Sequence, residues 1–92
     1  MPFDARRVTA ALLKKGFRAR QNDHTFYHLT IDGKDAGVFT KISHGERQIG
    51  DPLAKHMQKQ MKLSTMNEFR NFVDCPMSYE EYLANLKKAG FL

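Results

Sequence analysis

The pattern of apolar residues changes at Gly16 from a helical to a strand-like spacing. Before the glycine, Val8, Ala11 and Leu12 recur at the three- and four-residue spacing of one helix face, and Asp4 can serve as the N-cap. The pattern therefore predicts a helix over residues 4–15, which Gly16 ends.

The next three segments have the composition of β-strands. Residues 17–21 alternate apolar side chains with arginines, and residues 25–31 are rich in β-branched and aromatic side chains. A polar turn at residues 32–35 precedes a third strand over residues 37–43. Because the connections are short, we expect an antiparallel three-stranded meander.

The second half of the chain has the signals of three further helices. Asp51, which is followed by a proline, is expected to be the N-cap of the first. In that helix we expect Leu53, Met57 and Met61 to pack on the sheet, and Lys55, Gln58 and Lys59 to lie on the opposite, polar face.

Capping-box patterns at residues 65–68 and 78–81 open the last two helices. The pair Cys75-Pro76 separates these helices, and Gly90 ends the second. The predicted order is α-β-β-β-α followed by two helices, with helices on one face of the sheet, which is an α+β fold.

Length and charge narrow the functional class. The chain has 92 residues, which is enough for one domain with a modest core. Fifteen Lys and Arg against ten Asp and Glu give a formal charge of +5, which favours a polyanionic partner, most commonly nucleic acid. The alternative reading of this charge is a merely solvated surface.

The sequence also gives an expectation for the compartment. Cys75 is the only cysteine, so no internal disulfide is expected, which suits a reducing cytoplasm. No apolar run approaches the roughly 20 residues that span a bilayer, and the first residues lack the pattern of a signal peptide. We therefore expect a cytoplasmic protein with no membrane partner.

His24 is the first candidate for chemistry, because it follows a polar turn and lies close to Arg18 and Arg20. The arginines could hold a phosphate while the imidazole moves a proton to or from a 2′-hydroxyl or a leaving oxygen. RNA supplies its own nucleophile, so this chemistry needs no metal. The alternative is a surface histidine with no function.

The other three histidines have weaker signals. His28 is four residues from His24, on the same side of an ideal strand, but two histidines are too few for a zinc site. We therefore expect no metal and no cofactor. His44 could be a second phosphate contact, and we expect His56 to be structural.

Four stretches resemble the HicA (YcfA-like) family of toxin ribonucleases from type II toxin–antitoxin systems. Residues 12–17 (Leu-Leu-Lys-Lys-Gly-Phe) resemble the family's entry to its first strand, and residues 20–24 (Arg-Gln-Asn-Asp-His) stand where the family has Arg-Gln-x-Gly-Ser-His. Residues 40–44 resemble its Val-Thr-Val-Pro-x-His strand end, and residues 49–64 its closing helix. The likeness covers residues 5–64.

The resemblance implies a fold like that of a double-stranded-RNA-binding domain. It implies a metal-independent endonuclease that cleaves messenger RNA and so blocks translation, with His24 as the catalytic residue and a HicB-like antitoxin as partner. On this hypothesis Arg18, Arg20 and Lys41 contact phosphate, with His44 as a further RNA contact. Residues 1–64 would be the RNA-binding and RNA-cleaving core, and residues 65–92 a helical extension packed on the same domain.

Two alternatives remain open. The first is a non-catalytic RNA-binding module on the same fold, which is favoured by Asn22-Asp23 in place of the family's Gly-Ser. The second is a protein-interaction domain with a surface on the tail helices. The aromatic residues of those helices, Phe69, Phe72, Tyr79 and Tyr82, would form that surface, or else they complete a small core.

Overall fold

The computed structural model describes residues 2–74 and 76–92. It confirms the α+β class and the predicted order of helices and strands around a three-stranded antiparallel sheet, and adds a short strand pair. The elements are β1 (Phe3–Asp4), α1 (Ala5–Lys14), β2 (Phe17–Gln21), β3 (His24–Ile31), β4 (Lys34–Ser43), β5 (Gln48–Ile49), α2 (Asp51–Gln60), α3 (Met66–Asp74) and α4 (Tyr79–Lys88).

Helix α1 begins and ends as its sequence predicts. The Asp4 carboxylate accepts a hydrogen bond from the Arg6 backbone N–H at 2.8 Å, which satisfies one of the amides that a helix start leaves without a partner. Gly16, with a φ of +92°, follows the helix and turns the chain into β2.

The sheet has the strand order β2-β3-β4, so that β3 lies in the centre. Strand β3 begins one residue earlier than predicted, because His24 pairs with Ser43 of β4. Strand β4 begins three residues earlier than predicted, because the turn is only Asp32-Gly33. Both turn residues have positive φ, the conformation that joins two strands most tightly.

A β-bulge interrupts the pairing of β3 with β4. His28 pairs with Phe39 and Thr30 pairs with Asp35, so that residues 36–38 lie opposite Leu29 alone. Gly37 provides the positive φ, and its N–H donates to the Asp35 carboxylate at 2.8 Å. The bulge lets β4 carry extra residues without changing which side chains face outward beyond it.

Helix α2 corrects two predictions. Its N-cap is Gly50, whose carbonyl accepts from the Ala54 N–H at 2.8 Å, and Asp51 is instead the first helical residue, with Pro52 in the first turn. Gln58 is buried rather than exposed, because its side-chain amide donates to the Leu63 carbonyl at 2.7 Å. That bond compensates the burial of the amide.

The last two helices use the predicted caps with one difference. Ser78 and Glu81 form a complete capping box at the start of α4. At α3 the Thr65 hydroxyl accepts from the Glu68 N–H, but the Glu68 carboxylate accepts from Ser64 rather than from Thr65. The predicted break at Cys75-Pro76 falls partly on Cys75, which lies outside the described residues; α3 ends at Asp74.

One face of the sheet and all four helices form the hydrophobic core. The inner face of the sheet contributes Phe17, Tyr27, Leu29, Val38, Thr40 and Ile42, which are all buried. Helix α2 meets this face directly, where the Thr40 hydroxyl donates to the Gln60 side-chain oxygen at 2.7 Å. Met57 and Met61 are fully buried there as predicted, and Leu53 is half-buried.

Three aromatic residues of the tail belong to this core. Phe69, Phe72 and Tyr82 have no exposed surface, and the rings of Phe72 and Tyr82 lie 6.0 and 5.9 Å from that of Phe17. These three side chains therefore complete the core instead of forming a surface for a partner.

The short strands β1 and β5 form a separate antiparallel pair that sequence patterns did not predict. Phe3 pairs with Ile49, which ties the segment before α1 to the segment before α2. Among the described residues, no helix has both the length and the apolar character needed to cross a membrane.

Candidate functional site

The face of the three-stranded sheet that points away from the helices carries the candidate site, and we call it the outer face. Strand residues alternate between the two faces, and cross-strand partners share a face. The register therefore assigns the following residues to the outer face: Arg18 and Arg20 of β2, His24, Phe26 and His28 of β3, and Phe39, Lys41 and Ser43 of β4. None of these side chains is buried.

His24 lies at the end of this face where β2 turns into β3. Its cross-strand partner is Ser43, and its carbonyl accepts a hydrogen bond from the Asn22 N–H at 2.9 Å. Neither Asn22 nor Asp23 has a positive φ, so this turn does not require the glycine of the family motif. The backbone of His24 is thus fixed on both sides, and its side chain is half-buried.

The predicted cationic residues share the outer face with His24. Arg20 pairs with Phe26, which pairs in turn with Lys41, so both cations lie one strand away from the same central residue. Arg18 stands two residues before Arg20 on the same edge strand. The arginines are exposed and Lys41 is half-buried, so all three can reach an anion in solvent.

His44 lies in the turn directly after β4, next to the cross-strand partner of His24. Because it follows Ser43 in the chain, its backbone is close to the end of the outer face that carries His24. Its side chain is exposed. His56 lies elsewhere: it is on α2, in the helical layer, where its ring faces Gln60 at 3.4 Å.

Three aromatic side chains that no sequence pattern identifies as a group lie in the middle of the outer face. We call Phe26, His28 and Phe39 the aromatic cluster. The ring centroids of Phe26 and His28 are 6.2 Å apart with 20° between the ring planes, and those of His28 and Phe39 are 5.7 Å apart with 27°. Phe26 and Phe39 are 6.2 Å apart.

His28 has a second contact besides the rings. Its Nδ1 lies 3.3 Å from a carboxylate oxygen of Asp35, across the bulge. Within residues 2–74 and 76–92, no three or more His, Cys, Asp or Glu side chains form a group able to hold a metal.

No family model, curated protein or solved structure matches this chain. The resemblance to HicA therefore stays a prediction that depends on its motifs. Those motifs fall at the α1–β2 junction, at the β2–β3 turn, at the end of β4 and along the whole of α2. The second and third of them meet, since the β2–β3 turn and the end of β4 are joined by the pair His24 and Ser43.

Part of the aromatic cluster could have been found from sequence. Phe26 and His28 are two and four residues after His24, so strict alternation places all three on one face. Phe39 gave no such signal, because its neighbour Val38 is also apolar and the bulge before it breaks the alternation.

Proposed function

We propose that this protein is a HicA-like ribonuclease that binds messenger RNA on the outer face and cleaves it with His24, without a metal. The observation that carries the proposal is the common face of His24, Arg20 and Lys41, which come from three different strands. Cations beside a histidine suit a phosphodiester, because the cations bind the phosphate and the imidazole handles the proton.

The reaction uses the nucleophile of the RNA itself. His24, acting as a base, takes the proton of a 2′-hydroxyl while that oxygen attacks the adjacent phosphorus. The bond from phosphorus to the 5′-oxygen breaks, and this oxygen takes a proton from water. The products are a 2′,3′-cyclic phosphate and a 5′-hydroxyl end. Arg18, Arg20 and Lys41 offset the negative charge that grows on the phosphate, and His44 contacts a neighbouring phosphate.

The fold supports the proposal at a coarser level. The α-β-β-β-α order with helices on one side of the sheet is the order that the resemblance to HicA implies, including its likeness to a double-stranded-RNA-binding domain. A toxin of this kind would act in the cytoplasm, and a HicB-like antitoxin would cover the outer face. A neighbouring reading frame for such an antitoxin would support this part of the proposal.

Cleavage of RNA in the presence of a chelator tests the proposal. We expect the wild-type protein to cut single-stranded RNA. The variant His24→Ala should cut it about 10²–10⁴-fold more slowly, because general acid–base catalysis usually contributes a rate factor of this size. His56→Ala is the matched control and should cut at the wild-type rate, because His56 is an exposed histidine of the helical layer.

A 2′-O-methyl oligonucleotide of the same sequence should bind but remain intact, because it lacks the nucleophile. Equal cutting by wild type and His24→Ala would show that the cleavage comes from another residue or from a contaminant. RNA that stays intact with every protein would remove the catalytic part of the proposal.

The second candidate is an RNA-binding module without catalysis. One observation favours it: among the described residues, no hydrogen bond or ion pair joins the imidazole of His24 to another side chain. No such side chain therefore orients the ring, as a third group usually orients a catalytic base. A gel-shift assay run beside the cleavage assay separates the two candidates, because a module without catalysis would bind the RNA and leave it uncut.

A further inference from the structure

We infer that the aromatic cluster is a stacking surface for unpaired bases, so that the nucleic acid bound on the outer face is single-stranded. This inference rests on the proposed function in one respect, the binding of RNA to the outer face. It does not depend on cleavage by His24, and it goes beyond the resemblance, which implies a fold associated with duplex RNA.

The rings themselves are the first argument. Phe39 has 41% of its surface exposed on the side of the sheet opposite the core. The angles between the ring planes of Phe26, His28 and Phe39 range from 20° to 36°. A planar base can therefore stack on the cluster in a similar orientation. Aromatic side chains on a sheet face are the usual platform on which RNA-binding proteins stack splayed bases.

The charges around the cluster are the second argument. Phe26 has Arg20 on one neighbouring strand and Lys41 on the other, and the His28–Phe39 pair has Arg18 on the far side of His28. Neighbouring strands are only about 4.8 Å apart, so each set of cross-strand partners places an aromatic ring next to a cation. A nucleotide has the matching pair of groups, a flat base and a phosphate. A purely apolar protein partner would leave these cations without anions.

Stacking also decides between single and double strands. In a duplex the bases stack on one another and expose only their edges, so a protein meets phosphates and 2′-hydroxyls rather than base faces. The aromatic cluster would therefore have no base face to stack on in a duplex. An unpaired segment offers both a base face to Phe26 or Phe39 and a phosphate to Arg20 or Lys41.

Fluorescence of 2-aminopurine tests the inference with the wild-type protein, because stacking quenches this base. The probe is a short 2′-O-methyl oligonucleotide that contains one 2-aminopurine and that the protein cannot cut. Two further ligands are compared with it by gel shift: its duplex form, and a strand with an abasic site in place of the 2-aminopurine. We expect quenching on binding to the single strand, and weaker binding of both the duplex and the abasic strand.

Variants of Phe39 assign the effect to the cluster. Phe39→Ala should weaken single-strand binding about 5- to 150-fold, because the stacking of one base on an aromatic side chain is worth about 1–3 kcal/mol. It should also remove most of the quenching. Phe39→Tyr should restore both. Phe91→Ala is the matched control: Phe91 is 48% exposed, but it lies against Lys62 beyond α4 and should bind like wild type.

The outcomes separate this inference from the proposed function. Equal affinity for intact and abasic strands, without quenching, would overturn stacking and leave RNA binding in place. Tighter binding to the duplex would overturn the single-strand assignment. If sedimentation shows a dimer that Phe39→Ala dissociates while RNA affinity is unchanged, the cluster is a protein interface. Failure to bind any RNA would overturn the proposed function as well.

Discussion

Tyr82 shows how a single polar atom is accommodated in the core. The residue is fully buried, and its hydroxyl donates to the Met61 carbonyl at 2.6 Å. Its ring lies 5.1 Å from that of Phe72, so that the residue joins α4 both to the end of α2 and to α3. The hydrogen bond lets a phenol occupy an apolar site without the cost of an unpaired hydroxyl.

The substitution Tyr82→Phe should lower the free energy of unfolding by about 1–3 kcal/mol, because it leaves the Met61 carbonyl buried without its donor. Urea denaturation followed by circular dichroism measures this difference. Tyr79→Phe is the control and should have a smaller effect, since the Tyr79 hydroxyl is only part-buried and its hydrogen bond to the Thr30 carbonyl is long at 3.4 Å.

Burial also raises the pKa of Tyr82 above the ordinary phenol value of 10.0. The folded state therefore holds the proton more tightly, and above pH 10.0 the unfolded chain ionises first. The free energy of unfolding of the wild-type protein should therefore fall as the pH rises further. Its excess over the free energy of unfolding of Tyr82→Phe should shrink. An excess that stays constant with pH would contradict this assignment.

At the level of single residues, the sequence predicted the types of side chain at the candidate site but not their full arrangement. Arg18, Arg20 and His24 were predicted from spacing, and the register brings Lys41 beside them. Gln58 was placed on the wrong face of its helix, because its partner is a carbonyl beyond the helix end that a helical pattern cannot reveal.

The junction between α1 and β2 controls how the elements meet. The Gly16 carbonyl accepts from both the N–H and the hydroxyl of Thr30, at 2.9 and 3.1 Å, so it fixes the start of β2 against the end of β3. The ring of Tyr79, the first residue of α4, packs directly over Gly16. A single glycine therefore lies where one helix end, two strands and another helix start come together.

Gly16→Ala should destabilise the protein more than Gly33→Ala. Both glycines have positive φ, which costs any other residue about 1–2 kcal/mol. Only at Gly16 would the added methyl group collide with the Tyr79 ring, whereas at Gly33 it meets no atom within 4 Å. We expect an additional loss of about 1–3 kcal/mol at Gly16.

Thermal unfolding of the two variants measures this difference, and combining Gly16→Ala with Tyr79→Ala should recover part of the additional loss. If the two glycine variants are equally stable, α4 does not press on the junction. The Gly33 variant serves as the control for backbone strain alone.

Among the elements, those with strong periodicity were predicted within one to three residues, and their ends differ for identifiable reasons. Strand β4 was predicted too short because the Asp32-Gly33 turn needs only two residues. The pair of β1 and β5 could not be predicted, because strands of two residues carry no alternation and depend on the segments that the fold brings together.

At the level of the whole molecule, the tail helices are part of the single core. Besides the rings already described, α3 receives the buried Lys15, whose ammonium group donates to the Phe72 carbonyl and lies 4.9 Å from the centre of the Phe72 ring. The Arg7 guanidinium also lies 3.0 Å from the Asp74 carboxylate. The last third of the chain thus contacts α1 through apolar, hydrogen-bonded and charged groups.

Removal of residues 65–92 should therefore unfold the rest of the chain. Full burial of one large apolar side chain is worth about 1.5–3 kcal/mol, and the described part of the tail contributes six buried apolar residues of this kind. They are Phe69, Phe72, Val73, Met77, Tyr82 and Leu86. Their sum is comparable to the total stability of about 5–15 kcal/mol for a small domain.

The dispersion of amide signals in an NMR spectrum measures this outcome. A chain that ends at Lys88 is the control and should fold, because it loses only the exposed Phe91 and Leu92 and the residues beside them. A folded chain of residues 1–64 would show instead that the HicA-like segment is independent of the tail.

The α+β class and the order of elements followed from the sequence because each long element has its own local signal. The position of the tail did not, since apolar stripes on α3 and α4 suit a core and a partner surface equally well. Only the packing of Phe72 and Tyr82 on Phe17 decides between them.

The pairing of early and late segments also sets an order of folding. The contacts of β2 with β3 and of β3 with β4 are local hairpins, which form within microseconds. Helices α1 and α2 cover only part of the inner face, and the rest stays uncovered until α3 and α4 are present. A ribosome adds about 5–20 residues per second, so during synthesis the half-covered sheet persists for seconds. A chaperone that shields Phe17 and Tyr27 in this interval would protect the nascent chain from aggregation.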